Sequence, residues 1–258
     1  MANLILPDPR MEMPELLEPG RKPIGPVEVD RSNKMGRSIY GYTLFRNNLL
    51  HVDSDGFIDS AINPDAFFLA DYMDAGGTGV SGDDAGFAIN TVASEYEQST
   101  GGDELFNAWT VVFRAKQAGY NISRIFTSNP NLRPSLYFER NNPDTVVLHG
   151  GNAVAVQGTF AGLDLADGNW HTISCHYRGR VSGTDCIIAV DGRWSAVSAS
   201  PNVYNPHCNY YFGSYHSNGA YSAGLQYRLV VFHKWKNQYS QNELIDYSAD
   251  PYQFLIPA

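Results

Sequence analysis

From Asn107 onward the chain is written in short apolar stretches broken by turn-forming residues. Trp109–Arg114, Asn121–Thr127, Leu136–Arg140, Thr145–His149 and Ala153–Phe160 each read as a strand. Gly119, Asn129-Pro130, Asn141-Asn142-Pro143 and Gly150-Gly151 separate them. Trp170–Tyr177 then alternates: His171, Ile173, Cys175 and Tyr177 fall on one face, and Trp170, Thr172, Ser174 and His176 on the other. Gly179–Thr184 carries turn chemistry, Cys186–Val190 is a short apolar strand, and Asp191-Gly192 is a tight-turn dipeptide behind it. Asn209–Ser214 and Leu225–Phe232 continue the pattern. Strands at this spacing predict an antiparallel β-sandwich.

The first part of the chain is less regular. Ser38–Leu50, Phe57–Ile62, Ala66–Tyr72 and Phe87–Val92 read as strands, with Gly76–Gly86 and Glu95–Gly102 as loops. Residues 1–30 form a separate zone: Pro7, Pro9, Pro14, Pro19, Pro23 and Pro26 lack amide hydrogens and disfavour helix before them. An extended arm is expected there, followed by a sandwich over residues 31–258. The arm carries Leu4, Ile5, Leu6, Met11, Met13, Leu16 and Leu17, which water would expose unless a partner, a second copy or the domain itself covers them. Near the other end, Ser240-Gln241-Asn242-Glu243 is a capping box, and Leu244, Ile245 and Tyr247 follow it. One short helix is expected there, stopped by Pro251.

"Asp167-Gly-Asn-Trp-His-Thr-Ile173" followed by "Ile188-Ala-Val-Asp-Gly192" resembles the core hairpin of the laminin-G-like, concanavalin-A-like jelly-roll family. The strand order agrees, from Phe106-Asn-Ala-Trp-Thr-Val-Val-Phe113 through Leu136-Tyr-Phe-Glu139 to Leu225–Phe232. The resemblance implies an all-β jelly roll in which Trp170 opens a strand on the inner side of the sandwich. Ser240–Leu244 with Pro251-Tyr-Gln-Phe-Leu255, and Lys22-Pro-Ile-Gly-Pro-Val-Glu-Val-Asp30-Arg-Ser-Asn33, look like the ending and the lead-in of such proteins encoded by tailed bacteriophages.

Composition narrows the classes. The 258 residues are 43% hydrophobic and 13% aromatic, enough for a substantial core. The formal charge of −9 argues against a general nucleic-acid binder, which needs a basic face. There is no apolar run long enough to span a membrane, and Met1–Arg10 lacks the features of a signal peptide. Three cysteines are too few for a disulfide scaffold. Cys175 and Cys186 could face each other as a disulfide across the hairpin if its turn centres near residues 180–181, but two buried thiols are the preferred reading, and Cys208 has no partner either way.

The search for chemistry is mostly negative. Gly77-Thr-Gly-Val-Ser-Gly82 matches a dinucleotide fingerprint, yet Asp83-Asp84 follow it and would repel phosphate. Glycanases of this broad fold carry an E-x-D-x-E triplet on one strand; Glu95-Tyr-Glu97 is the nearest pair and lacks the middle aspartate. His149, His171, His176, His207, His216 and His233 are scattered, and His171 and His176 lie on opposite faces of one strand. No catalytic residue, metal site or cofactor is assigned. Calcium is the one ion weighed, through Asp53, Asp55 and Asp59 or through Asp83-Asp84, and turn-forming roles are preferred for these. Tyr204, Tyr210, Tyr211, Tyr215 and Tyr221, with Asn205, Asn209 and Asn218, supply aromatic and amide groups suited to a glycan.

The expectation is therefore a non-enzymatic virion protein, assembled in the host cytoplasm. Its arm would dock on capsid, neck or tail proteins or on its own copies, and its sandwich would face outward. The alternative is a carbohydrate-binding adhesin using Tyr204, Tyr210, Tyr215, Asn218 and Tyr221 on host-surface glycans.

Overall fold

The computed structural model describes residues 27–44, 50–52, 57–60, 73–74, 80–83, 86–89, 96–99, 108–115, 123–128, 134–139, 141–150, 155–177, 186–195, 209–212, 214–215, 220–221, 225–233 and 240–257. The described elements begin with β1 (Val27–Val29), α1 (Lys34–Ser38), β2 (Ile39–Leu44), β3 (Leu50–Val52), β4 (Phe57–Ser60), β5 (Met73–Asp74), β6 (Val80–Asp83), β7 (Gly86–Ile89) and β8 (Tyr96–Ser99). Next come β9 (Ala108–Ala115), β10 (Ser123–Ser128), β11 (Pro134–Phe138), β12 (Thr145–Gly150), β13 (Ala155–Thr159), β14 (Trp170–Tyr177) and β15 (Cys186–Val190). The series closes with β16 (Arg193–Ser195), β17 (Asn209–Phe212), β18 (Ser214–Tyr215), β19 (Ala220–Tyr221), β20 (Leu225–His233), α2 (Gln241–Ala249) and β21 (Leu255–Pro257).

Two antiparallel sheets make the sandwich. One has eight strands in the order β16-β15-β14-β9-β20-β7-β6, with β2 also on β20; the other has six, β13-β12-β11-β10-β17-β8. Between them lie Trp109, Val111, Phe113, Ile173, Val190, Leu136 and Phe138, all buried. Phe113 stacks on Phe138 across the gap at 5.9 Å, and the Tyr227 hydroxyl donates to the Ile125 carbonyl at 2.8 Å.

The eight-stranded sheet is covered on its other face too. Ala108, Val112, Ile187, Ala189, Leu229 and Val231 form a second core with Leu244 and Tyr247 of α2 and with Tyr252, Phe254 and Leu255. This explains why β9 is buried on both faces and reads as an almost continuous apolar run. The capping box forms as expected: Ser240 Oγ accepts from the Glu243 amide at 3.2 Å, and Glu243 Oε2 accepts from the Ser240 amide at 2.7 Å.

The first and last described strands pair with each other. β1 pairs with β21, Asp30 N donates to the Phe254 carbonyl at 2.8 Å, and Lys34 Nζ meets Glu243 Oε1 at 2.9 Å. Val27 and Val29, assigned above to an extended arm, are thus buried against the chain's own C-terminal segment. Leu4, Ile5, Leu6, Met11, Met13, Leu16 and Leu17 lie outside the described residues.

Several expectations are corrected. Helix α1, which was not expected, precedes the strand expected from Ser38 and overlaps it only at that residue, the strand itself forming as β2; Asn33 caps the helix, its Oδ1 accepting from Met35 N at 2.7 Å. Val80–Asp83 of the expected loop at Gly76–Gly86 is β6, hairpinned to β7, and the expected loop at Glu95–Gly102 contains β8. In both places pairing with neighbouring strands overrides weak local propensity. The register of β14 and β15 sets Cys175 opposite Ile188 and Tyr177 opposite Cys186, so the two cysteines are not a facing pair. Trp170 points to the α2 layer rather than into the gap between the sheets. The expected strand at Ala66–Tyr72 lies outside the described residues.

Candidate functional site

The two Asp-Gly turns converge on His171. Asp167 opens β14, and its side chain accepts from Asn169 N at 2.6 Å. Asp191 sits at φ 47° and Gly192 at φ 73°, the two central positions of the β15–β16 hairpin, where Val190 faces Arg193. Positive φ at both centres is the geometry that Asp-Gly favours. From this turn Asp191 Oδ1 accepts from Thr172 N at 2.7 Å and Oδ2 contacts His171 Nδ1 at 2.7 Å. On the other side His171 Nε2 meets Asp167 Oδ1 at 3.1 Å.

Burial alone would lower the His171 pKa, but the two carboxylates outweigh it and hold it above the ordinary 6.5. Asp167 is held below the ordinary carboxylate value: some burial opposes this, and the Asn169 hydrogen bonds and His171 prevail. With both ring nitrogens engaged and the ring buried, His171 is a knot in the fold.

The other side of the Asp191 turn faces a cleft of about 240 Å³ lined by Val112, Trp170, Thr172, Asp191, Arg228, Ser248, Ala249, Pro251 and Tyr252. It lies between the outer face of the eight-stranded sheet and the end of α2. Its shape follows from an irregularity in β20: the pairing with β9 slips between Tyr227 and Leu229, leaving Arg228 as a bulge residue. Bulges re-aim a side chain, and here the Arg228 guanidinium lies 4.0 Å from the Trp170 ring centroid. The Arg114 guanidinium is 4.7 Å from the same centroid. Ser248 Oγ accepts from Gly192 N at 2.9 Å, tying α2 to the turn. The buried Tyr252 hydroxyl lies beside Arg228 without a well-formed hydrogen bond. Burial pushes its phenol above the ordinary tyrosine value against the pull of Arg228.

A second polar cluster is enclosed under α2. Thr110 Oγ1 meets Ser174 Oγ at 3.0 Å, His233 Nδ1 meets Ser38 Oγ at 3.3 Å, and the His233 ring contacts Tyr247 edge-on at 5.4 Å. Burial, and secondarily His176, push His233 down to about 3.

The aromatic set expected to hold a glycan is only partly placed. Tyr210 lies on β17 with strands on both sides, opposite Ser128 of β10 and Gln98 of β8, rather than in a loop. Tyr215 and Tyr221 lie on the β18–β19 hairpin, where Tyr215 faces Ala220 and Tyr221 faces Ser214. Tyr204 and Asn218 lie outside the described residues. Of the calcium candidates, Asp59 falls on β4 and Asp83 on β6; among the described residues no group of three or more His, Cys, Asp or Glu side chains is arranged to hold a metal ion. Sequence reasoning missed Arg228 and Tyr252. No local signal marks Arg228, because a bulge is a relation between two strands. The Pro251-Tyr252 dipeptide after a capped helix reads as a helix stop and as part of the ending that resembles phage proteins, and nothing in it marks a cleft.

No family model and no curated protein matches the chain. Solved structures do. A Trypanosoma rangeli sialidase in complex with sialic acid matches at TM-score 0.55 with 13% identity, over 81% of this chain and 33% of that one. The same sialidase with 2,3-difluoro-KDN gives 0.57 and 13%, over 87% and 36%. The CBM40 domain of Ruminococcus gnavus IT-sialidase bound to α2,3-sialyllactose gives 0.43 and 12%, over 56% and 84%. The chain spans about one third of the length of the T. rangeli enzyme. The expectation that this protein is not an enzyme is corrected here: the structures matching it above a TM-score of 0.5 include a sialidase, which is a glycoside hydrolase. The missing E-x-D-x-E triplet excludes one glycanase chemistry, and a fold alone excludes none. At this level of identity the comparison establishes the fold, an antiparallel β-sandwich that also occurs in sialidases.

Proposed function

We propose that the chain is a glycan-recognising β-sandwich. The observation that carries this is the cleft beside the Asp191-Gly192 turn. It combines the hydroxyls of Thr172, Ser248 and Tyr252 with one carboxylate, Asp191, and one guanidinium, Arg228. A sugar presents a dense set of hydroxyl donors and acceptors, and convergent short polar groups in a concave site suit it. The sialic-acid complex of a sialidase of the same fold supports the reading. A glycan array probed with the full chain tests it. Saturable binding to a defined glycan class is expected, and substitution of Tyr215 and Tyr221 separates the hairpin from the cleft as the contact surface. A folded chain that binds no glycan overturns the reading.

A second reading concerns where such a module is displayed. The two stretches resembling phage proteins, Lys22–Asn33 and Ser240–Leu255, meet in the β1–β21 clasp, with the Lys34–Glu243 ion pair just beyond it. We infer that the clasp fixes the exit of an arm that docks on virion proteins or on other copies. Light scattering of the full chain and of residues 27–258 tests this: an oligomer that becomes a monomer on truncation supports it, and unchanged monomers count against self-association.

A further inference from the structure

We propose that His233 is an acid-sensitive latch: its protonation releases the layer built from α1, α2 and the paired strands β1 and β21, while the two-sheet sandwich beneath stays closed. The latch is independent of the glycan reading above.

The hydrogen bonds around the ring run in one direction. Ser38 Oγ donates to the Met35 carbonyl at 2.6 Å, which uses its hydrogen. Toward Nδ1 of His233, 3.3 Å away, the same oxygen is therefore an acceptor, and Nδ1 carries the ring hydrogen. Nε2 is then the bare nitrogen of a neutral imidazole and accepts from the Thr110 hydroxyl across a long 3.5 Å. With its hydrogen so placed, Thr110 Oγ1 accepts from Ser174 Oγ at 3.0 Å. One chain thus links β14, β9, β20 and the last turn of α1, each step fixing the next. A second proton has to enter at Nε2, where it meets the hydrogen of Thr110. The Thr110 and Ser174 hydroxyls must then reverse, and a charge is left among side chains that are all buried.

The titratable groups facing the ring are His176 from β14 and Tyr247 from α2. His176 and His233 flank Ala108, which pairs with both of them, and the Tyr247 ring stands edge-on at 5.4 Å. β9 presents Ala108 and Thr110, and β2 presents Ile39, all uncharged. Burial and, secondarily, His176 hold the ring neutral down to about 3, whereas an opened layer returns it to water and to the ordinary 6.5. Protons therefore favour the open form as pH falls below 6.5.

The ring sits under elements that move together. Val29, Met35, Leu244, Tyr247 and Leu255 share one core against the outer face of the eight-stranded sheet. The gap between the sheets answers acid with the opposite sign. His171 lies beside Phe113 there at 6.2 Å, and against its burial two carboxylates hold it above the ordinary value, so its contribution persists at low pH.

The test is hydrogen–deuterium exchange of the full chain at pH 7.5 and pH 5.0, corrected for the intrinsic rate at each. Against some burial, Lys34 and Ser240 hold Glu243 below the ordinary carboxylate value, so the Lys34–Glu243 pair stays ionised at both. Amides of α2 and β21 are expected to lose protection roughly thirtyfold, the change in opening that a shift from 6.5 to about 3 gives between these pH values. Amides of β11 and β12 in the six-stranded sheet are expected to keep theirs. His233→Asn should make protection of α2 independent of pH over this range. Long-range nitrogen–proton NMR of the unmodified chain needs no variant and should read a neutral Nδ1–H ring at both pH values. Unchanged protection in α2, an equal loss in β11 and β12, or full pH dependence in His233→Asn each overturns the latch. So does an Nε2–H tautomer, or a charged ring in the closed chain at pH 5.0.

Discussion

Nδ1 of His171 lies 2.7 Å from Oδ2 of Asp191, so the Asp-Gly turn after β15 grips the strand that the earlier Asp-Gly turn opens. The same carboxylate accepts from Thr172 N at 2.7 Å. Asp191→Ala removes both bonds and leaves a buried amide and imidazole short of acceptors. The expected cost is about 2–3 kcal/mol, or a melting temperature lowered by roughly 5–10 °C at 2–4 °C per kcal/mol. Asp191→Asn keeps an oxygen and tolerates positive φ, so it should cost less than half as much. Thermal denaturation followed by circular dichroism compares the two; equal losses would show that the carboxylate's charge beside His171, and not the acceptors or the turn backbone, dominates.

His171 and His233 titrate in opposite directions, and this predicts the shape of the stability–pH curve. His171 has a folded pKa raised above its ordinary 6.5, so its contribution is full below that value and is lost as pH rises through the folded pKa. His233 has a folded pKa lowered to about 3, so the folded state resists its protonation and stability falls as pH drops from 6.5 toward 3. Among these two groups the optimum lies near pH 6.5. Melting temperatures from pH 4 to 9 should show His171→Asn flattening the alkaline limb and His233→Asn flattening the acid limb.

Gly192 is required by its conformation and by its surroundings. At φ 73° a side chain costs about 1–2 kcal/mol, and an added Cβ would stand 3.2 Å from the Ala249 Cβ on α2. Gly192→Ala is therefore expected to destabilise by at least that amount in urea denaturation. Ser248→Ala, which removes the acceptor of Gly192 N, should cost about 1 kcal/mol. A neutral Gly192→Ala would mean that the turn and α2 shift apart at little cost.

Cys175 is fully buried, and burial pushes its thiol well above the ordinary range. Native protein treated with iodoacetamide should stay unlabelled at Cys175, and the site should label at once in denaturant. Peptide mass spectrometry reads this directly; rapid native labelling would show that the gap between the sheets opens locally.

Legibility followed the range of the interactions involved. Trp170–Tyr177 and Cys186–Val190 were readable to the residue because alternation and turn dipeptides lie within a few positions. The Ser240 capping box was readable for the same reason. β6 and β8 were not, since Val80–Asp83 and Tyr96–Ser99 lack strand-like runs and become strands only by pairing with β7 and β17. The cleft was not readable at all: Thr172, Asp191, Arg228 and Tyr252 come from four separate segments, and the aromatic set around Tyr210 gave no hint of it.

By itself the sequence determined the strand periods, the two Asp-Gly turns, the capped helix and hence an all-β sandwich, because each depends on backbone sterics and side-chain alternation over a few residues. Only the tertiary structure decided which face each strand turns inward. Alternation separates Trp170 from His171 but cannot say which meets the second sheet; the α2 layer, by covering the outer face, takes the tryptophan. It also decided that Asp167 and Asp191 share one histidine, and that a one-residue slip in β20 lifts Arg228 onto Trp170. These are relations between segments far apart in the chain, and they exist only once the sheets have closed.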